Sequence, residues 1–199
     1  MLPDLININT SFPVKGQSIA AGQSELSMLI RDCIAQSRSA QKKLYDLYTP
    51  AAYGVIRRYL YNNEVAAEEI LNDSFLKILT KLEQYNFTGS FEGWIRRIVV
   101  NTITDYARKN IINEQKHHEV QNEDAYINSE SVEKISHKEL LQIVNTLPDA
   151  QRTVFNLFVF ENYAHKEIAT LLNINENNSR WYMNDARRRL KEKIHSIMK

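Results

Sequence analysis

Apolar positions recur at helical spacing along most of this chain, and the lapses in that pattern mark its organisation. The first run begins near Leu26, passes through Leu29, Ile30, Cys33 and Ile34, and continues with Leu44, Leu47 and Tyr48. Pro50 then breaks or restarts the helix. Val55, Ile56, Tyr59 and Leu60 form a second amphipathic stretch, and Asn62–Asn63 supplies a stop and an N-cap. The following helix has the clearest stripe, with Leu71, Phe75, Ile78 and Leu82 at i, i+4, i+7 and i+11. Glu69, Asn72, Asp73 and Leu76 fall off that stripe and make a second, mixed face. A loop at Asn86–Ser90 precedes a helix that starts near Phe91 and runs to Lys109.

Residues 110–136 are polar, acidic and aperiodic, which predicts a linker. Helical spacing resumes near His137 with Leu140, Leu141 and Val144, up to a break at Leu147–Pro148. Asp149 is placed to cap a helix containing Val154, Phe155, Leu157, Phe158 and Phe160. In Tyr163–Leu172, Ile168, Ala169 and Leu172 make a compact inward face. Asn173 stands where the chain must turn, and Asn readily takes the left-handed conformation of a C-cap. Ile174 reads as an apolar plug, with Asn175 or Asn177 capping the next helix. On that helix Met183, Ala186 and Leu190 point inward, leaving Arg180, Trp181, Asn184, Arg187 and Arg188 outward. Small residue, left-handed turn, plug and polar second helix together fit a helix-turn-helix. The expected fold is all-α. A tail (1–25) leads into a helical domain (26–109), and a flexible acidic linker (110–136) joins that to a second helical domain (137–199).

Composition adds little to this until charge is resolved along the chain. Five Gly and four Pro in 199 residues favour long helices over a turn-rich β fold. The net charge of +1 argues for no particular partner. Yet Arg180–Lys199 holds seven Lys/Arg against two acids, and Ile111–Ser136 holds six acids against two lysines. Such segregation fits a nucleic-acid face and a solvated linker, and it favours DNA binding over a plain αα-hairpin. The single cysteine, Cys33, excludes an intrachain disulfide, fits a reducing compartment, and lies in an apolar pattern that makes it core. No apolar run suffices to cross a bilayer, and the N-terminus makes a poor signal peptide, so the expected location is cytoplasmic with no insertion in membranes. His117–His118 lacks partners at ligand spacing, so neither a metal nor a cofactor is expected.

Candidate chemistry concentrates in Phe87–Lys109, FTGSFEGWIRRIVVNTITDYARK. Flat rings can stack on bases, cations meet phosphates, and amides meet unpaired base edges. All three occur here within a few helical turns, which points to opened, single-stranded nucleic acid.

The ordered series AQKKLYDLYTPAAYGVIRRYL, AAEEILNDSFLKILTKLEQY, FTGSFEGWIRRIVVNT, LPDAQRTVFNLFVFENYAHKEIATLLNIN and DARRRLKEKI covers about 26–197. In order and spacing it resembles the extracytoplasmic-function (ECF) group of bacterial RNA polymerase sigma factors. GSFEGWIRRI and RTVFNLFVFENYAHKEIA look most like members from Bacteroidetes-type bacteria. The resemblance implies a region 2 bundle and a region 4 helix-turn-helix. It implies an alternative sigma factor, with no catalysis of its own, that binds core RNA polymerase and then recognises and melts promoter DNA.

By that resemblance Glu69, Asn72, Asp73 and Leu76 dock on core polymerase. Asn86, Phe87, Ser90 and Phe91 belong to the loop that receives a flipped base of the single-stranded −10 element. Trp94, Arg96, Arg97, Asn101 and Arg108 lie on the helix that melts and holds that region. Arg180, Trp181, Asn184, Asp185, Arg187 and Arg188 would read the duplex −35 element. An anti-sigma factor, membrane-anchored, is a further implied partner. The chain departs from the family at Asn173, where Gly is usual, and at Trp181 and Asp185, where a small and a basic residue are common. Trp181 is either a core edge or a stacking residue. Asp185 either accepts from a cytosine amine or bridges Arg188 or Arg189 along the helix. A stand-alone helix-turn-helix regulator is the alternative function. Without a phosphate loop, metal cluster or nucleophile elbow, a hydrolase or metalloenzyme has little support.

Overall fold

The computed structural model of the chain describes residues 19–112 and 137–197, with side chains over 25–109 and 139–197. The expected tail before residue 19, the acidic linker over 113–136 and the pair His117–His118 lie outside the described residues. Eight α-helices and no strand occur among the described residues: α1 (Ile19–Ile34), α2 (Arg38–Tyr59), α3 (Glu64–Lys81), α4 (Phe91–Ile112), α5 (His137–Val144), α6 (Asp149–Val159), α7 (His165–Leu172) and α8 (Glu176–Ile197). They divide into two compact units. Among the described residues, one comprises those up to Arg57 with Asn62–Thr102, the other Arg58–Tyr61 with those from Ile103.

In the first unit α1 starts at Ile19, inside the stretch expected to be a tail. Ala20 and Ala21 are strong helix formers and carry the helix ahead of Leu26, where the apolar spacing begins. The break between α1 and α2 falls at Gln36, left-handed at φ 63°, and not at Pro50. Pro50 sits inside α2, where its missing N–H leaves the Asp46 carbonyl without a helical donor. Tyr48, Ala51, Ala52, Val55 and Ile56 are all buried around it, and packing of that face holds the helix continuous.

Asn63 caps α3 by accepting from the Ala66 amide at 3.0 Å. Leu71, Phe75, Ile78 and Leu82 are buried as their spacing requires, joined by Ala66, Ala67 and Ile70. Leu82 begins a short 3₁₀ turn, Leu82–Gln84, that ends the helix. Phe91, Ile95, Ile98 and Val99 bury the inner face of α4. Cys33 is buried, and burial with the nearby Asp32 pushes its thiol pKa up, which suits an inert core residue. Leu47 is exposed, so the apolar pattern overstated the core at that position.

In the second unit Ile143, Val144 and Leu147 pack against Ala186, Leu190 and Ile194 of α8. Pro148, not Asp149, occupies the N-cap of α6. Asp149 is instead the first helical residue, where its charge suits the helix N-terminus and pairs with Arg152. The Arg152 side chain is itself buried and donates to the carbonyls of Leu147 at 2.7 Å and Asn145 at 3.3 Å. Those bonds satisfy a buried cation and fix the turn between α5 and α6.

Candidate nucleic-acid interface

The helix-turn-helix forms as α7, a tight turn, and α8. Asn173 closes α7 in the left-handed conformation (φ 54°, ψ 46°), and its amide reaches the Ala169 and Thr170 carbonyls. The Ile174 amide also returns to Ala169 O at 3.0 Å. Asn therefore does here what Gly does more cheaply. Asn175 is the cap of α8, accepting from the Asn178 amide at 2.6 Å. Ile168 and Leu172 are fully buried, whereas Ala169 and Ile174 are only partly so. His165 opens α7, stacks on Phe158 at 4.7 Å, and places Nδ1 2.9 Å from the Ser179 hydroxyl of α8.

On α8, Met183, Ala186 and Leu190 point inward. Outward, Arg180 bonds Glu176 at 2.5 Å, and Arg188 bonds Asp185 at 2.6 Å and Glu192 at 2.7 Å. Arg187 is half-buried, with its guanidinium 6.0 Å from the Phe158 ring centroid. Trp181 is half-exposed, edge-on to Tyr182 at 5.3 Å, and Asn184 is also half-exposed.

Asp185 turns its carboxylate to protein partners. Its side chain is only 9% exposed and takes bonds from Arg188, from Arg189 at 2.7 Å, and from Gln151 of α6 at 2.8 Å. Burial pushes its pKa up, but the bonds from Arg189, Arg188 and Gln151 win and hold it below the usual carboxylate value. A base edge would have to displace these donors. Asp185 is thus a brace between α6 and α8, which favours the helix-bridging alternative over base reading, since its carboxylate is largely buried and already accepts from three side chains.

In the first unit the loop after α3 is built by its own side chains. Asn86 Oδ1 accepts from the Thr88 amide at 3.2 Å and the Thr88 hydroxyl at 2.5 Å. Phe87 is left-handed at φ 60°, and Gly89 follows at φ 82°, where a side chain would be strained. The Ser90 hydroxyl accepts from the Gly93 amide at 3.1 Å, capping α4, and donates to Glu92 at 2.8 Å. Below the loop lies a ring cluster. Tyr85 meets Phe87 at 5.0 Å, Phe91 at 4.9 Å and Trp94 at 5.6 Å, and Trp94 stacks on Phe91 at 5.6 Å. Tyr48 adds an edge contact to Phe91 at 5.4 Å. Burial and the Glu92 carboxylate push both the Tyr85 and Tyr48 hydroxyl pKa values up, so both stay protonated donors.

Exposure separates the residues of this loop. Phe87 is 52% exposed and Trp94 half-exposed, whereas Phe91 is 1% exposed. Phe91 is therefore the floor beneath the loop and not part of its surface; its i, i+4, i+8 partners Ile95 and Val99 draw it into the core. Arg97 and Asn101 are exposed at i, i+4 on α4, and Arg96 is half-buried. Arg108 is not with them: it lies in the second unit, with Nη2 2.8 Å from the Leu171 carbonyl. Tyr85 lies outside the loop that sequence reasoning picked out, and Thr88 lies inside it without being singled out. Tyr85 is the hub of the rings, signalled by its place beside Asn86 and Phe87. Thr88 is signalled by the Asn-x-Thr spacing that lets a side-chain oxygen fold back.

On α3, Glu69, Asn72, Asp73 and Leu76 are all exposed. Val65 at 69% and Leu76 at 65% put two large apolar side chains on this acidic, polar face. Neither is placed to join the core.

A ring-floored loop at a helix start and a helix-turn-helix with a cation-rich outer helix define a two-part, all-α nucleic-acid-binding protein. Residues 44–110 match the Sigma-70 region 2 family, and residues 137–190 match the Sigma-70, region 4 family. Among curated relatives, the ECF RNA polymerase sigma-E factor of Haemophilus influenzae is 23% identical over 182 residues, covering 83% of this chain and 95% of that protein. The ECF RNA polymerase sigma factor SigM of Bacillus subtilis is 26% identical over 157 residues, covering 75% of this chain and 91% of that protein. One similar solved structure is the sigma factor RpoE in complex with the anti-sigma factor NepR from Bartonella quintana. It is 16% identical, covering 79% of this chain and 98% of that one at a TM-score of 0.45. The chain belongs to the sigma-70 family, as an ECF sigma factor. It is an alternative sigma factor that directs transcription.

No helix among the described residues is long and apolar enough to cross a membrane.

Proposed function

We propose that this sigma factor divides its work over three surfaces. The exposed α3 face of Glu69, Asn72, Asp73 and Leu76 docks on core RNA polymerase, where Leu76 supplies a desolvated anchor within a polar rim. Asn86, Phe87, Ser90 and Trp94, with Arg96, Arg97 and Asn101 along α4, hold the opened strand of the −10 element. Arg180, Trp181, Asn184, Arg187 and Arg188 of α8 enter the major groove at the −35 element. The protein acts in the cytoplasm, carries no catalysis of its own, and is restrained by an anti-sigma factor anchored in the membrane. Its motifs GSFEGWIRRI and RTVFNLFVFENYAHKEIA support a kinship with members from Bacteroidetes-type bacteria. Regions 26–109 and 137–199 act as the two recognition domains.

The observation that carries this reading is the exposure of Phe87 and Trp94 over a buried ring floor. An aromatic platform beside an amide suits an unstacked base. The test is transcription from a cognate promoter with purified protein and core polymerase. Asp73→Lys is expected to lose core binding in a pull-down, while Arg180→Ala keeps core binding and loses promoter binding. Failure of the unaltered protein to bind core polymerase would sink the assignment.

A further inference from the structure

We propose that His165 is a proton-coupled phosphate contact: as α8 seats on the −35 duplex, the His165 ring takes up a proton and meets the DNA backbone. The inference rests on the −35 role of α8 argued above. Two contacts within the second unit place the ring. One face stacks on Phe158 of α6, with centroids 4.7 Å apart and planes 21° from parallel. Nδ1 lies 2.9 Å from the hydroxyl of Ser179, a fully buried residue of α8. The ring is nonetheless half-exposed, and Nε2 is its remaining polar atom. The Arg187 guanidinium shares the same Phe158 ring, 6.0 Å from its centroid, and exposed Arg180 directly follows Ser179. His165 therefore sits beside two of the cations assigned to the −35 element.

In the free protein these surroundings keep the ring neutral. Burial holds its pKa below the ordinary 6.5, Arg180 and Arg187 press it further down, and Glu176 opposes them. Other charges on the elements around the ring have partners of their own or face solvent. Glu167 of α7 accepts from the Ala164 amide at 2.8 Å, Asp149 and Arg152 of α6 pair with each other, and Lys166 is exposed. A phosphate that reaches Arg180 and Arg187 reverses the balance, because its negative charge offsets both cations and favours the charged ring. Proton uptake and DNA binding are then linked. The Ser179 partner permits the change. A hydroxyl can donate to a neutral Nδ1 or accept from a protonated one, so the ring keeps its anchor in both states. The imidazolium then offers Nε2–H to a phosphate oxygen as a charge-assisted donor.

Binding of the full-length protein with core polymerase to duplex promoter, measured over a salt series at pH 7.5 and 6.0, tests this. On that drop in pH the unaltered protein is expected to gain roughly three- to tenfold more affinity than His165→Gln, within the limit of about tenfold per pH unit that one linked proton sets. Its slope of log K against log salt is expected to steepen by up to about 0.9, one further phosphate, while the His165→Gln slope stays constant. His165→Lys carries its charge at both pH values. It is expected to bind more tightly than the unaltered protein at pH 7.5 and to respond to pH as His165→Gln does. Equal gains in the unaltered protein and His165→Gln, or a slope no steeper at pH 6.0, would overturn the inference. So would a smaller gain in the unaltered protein, the result expected if the neutral ring only braces Phe158 against Ser179. If His165→Gln fails to fold, His165→Lys decides alone, and a pH response equal to that of the unaltered protein overturns the inference. Each of these results leaves the −35 role of α8 intact. Arg180→Ala binding the promoter as tightly as the unaltered protein would overturn that role and this inference with it.

Discussion

The loop after α3 and the outer face of α8 both gather groups suited to nucleic acid, but they hold them in opposite ways. In the loop, polar atoms are fixed by neighbours two or three residues away, and rings are propped from beneath, so Phe87 and Trp94 stand ready. On α8 the cations are engaged by acids of the same helix: Arg180 by Glu176, Arg188 by Asp185 and Glu192, and Arg189 by Asp185. A neutral, flat ligand meets a surface already organised for it. A phosphate must instead replace a carboxylate, and exposed pairs of this kind are worth only about 0.2–1 kcal/mol, so the exchange is open. Affinity at α8 then depends on how many phosphates are met at once, because each releases counterions.

The widest gap between the two designs lies within the loop itself. Phe91→Ala should cost the first unit about 3–5 kcal/mol, as for any fully buried ring cut to a methyl. Phe87→Ala should leave stability within about 0.5 kcal/mol, being an exposed surface change. It should nonetheless weaken opened-strand binding by about 1–3 kcal/mol, the worth of one base stack. Denaturant unfolding and bubble-promoter binding by the holoenzyme measure the two separately. Equal stability losses for the two variants would mean that floor and surface are not distinct.

Asp185 gives the next largest effect and asks whether the basic face needs its acids. Asp185→Ala strands the Gln151 amine and removes the shared acceptor of Arg188 and Arg189. A loss of about 1–3 kcal/mol in the second unit is expected. Because the folded carboxyl is held below its ordinary value, its contribution is present above the unfolded pKa and lost as pH falls through the folded one. The variant should therefore show a shallower acid limb in its stability–pH profile. A variant of unchanged stability that altered only base preference at the −35 site would favour base reading over the brace.

How far the sequence reveals these arrangements depends on whether the governing interaction is periodic. The α3 stripe, the Asn63 cap and the left-handed Asn173 were legible because spacing and residue type alone decide them. Pro50 misled because a local rule was outweighed by packing on both sides of it. Phe91 misled in the other direction: an aromatic at a loop–helix junction fits stacking on a base and burial equally well, and only Ile95 and Val99 beneath it decide. The Asp185–Gln151 contact joins residues far apart in sequence, so only the helix-facing half of the brace, to Arg188 and Arg189, could be read in advance. The Tyr85 hub needed the turn after Leu82, which no periodicity announces.

A smaller change tests the exchange at α8 directly. Glu176→Gln removes the acid that holds Arg180 and should leave stability within about 0.5 kcal/mol. The released guanidinium can then meet a phosphate throughout. Promoter binding by the holoenzyme should tighten at low salt, and the slope of log K against log salt should steepen by about 0.9 if one phosphate is added. An unchanged slope would mean that Arg180 already reaches its phosphate in the complex, with Glu176 released at no measurable cost.

The smallest effect joins the turn to that cation face. His165 is held below its ordinary pKa of 6.5 first by burial and then by Arg180 and Arg187, with Glu176 pulling the other way. The unfolded chain therefore takes up the proton first as pH falls. Stability from the neutral ring is fully present above about pH 6.5 and declines as pH drops toward the folded pKa. Urea midpoints at pH 7.5 and 5.5 should differ in the unaltered protein, and the difference should shrink in His165→Gln. Glu176→Gln removes the one opposing charge named and should enlarge it, since Arg180 and Arg187 then act on the ring uncompensated. If Glu176→Gln left the pH response unchanged, the charge of Glu176 would be felt at Arg180 and not at His165. The start of α7 and the outer face of α8 would then be electrostatically separate, despite the 2.9 Å approach of His165 to Ser179.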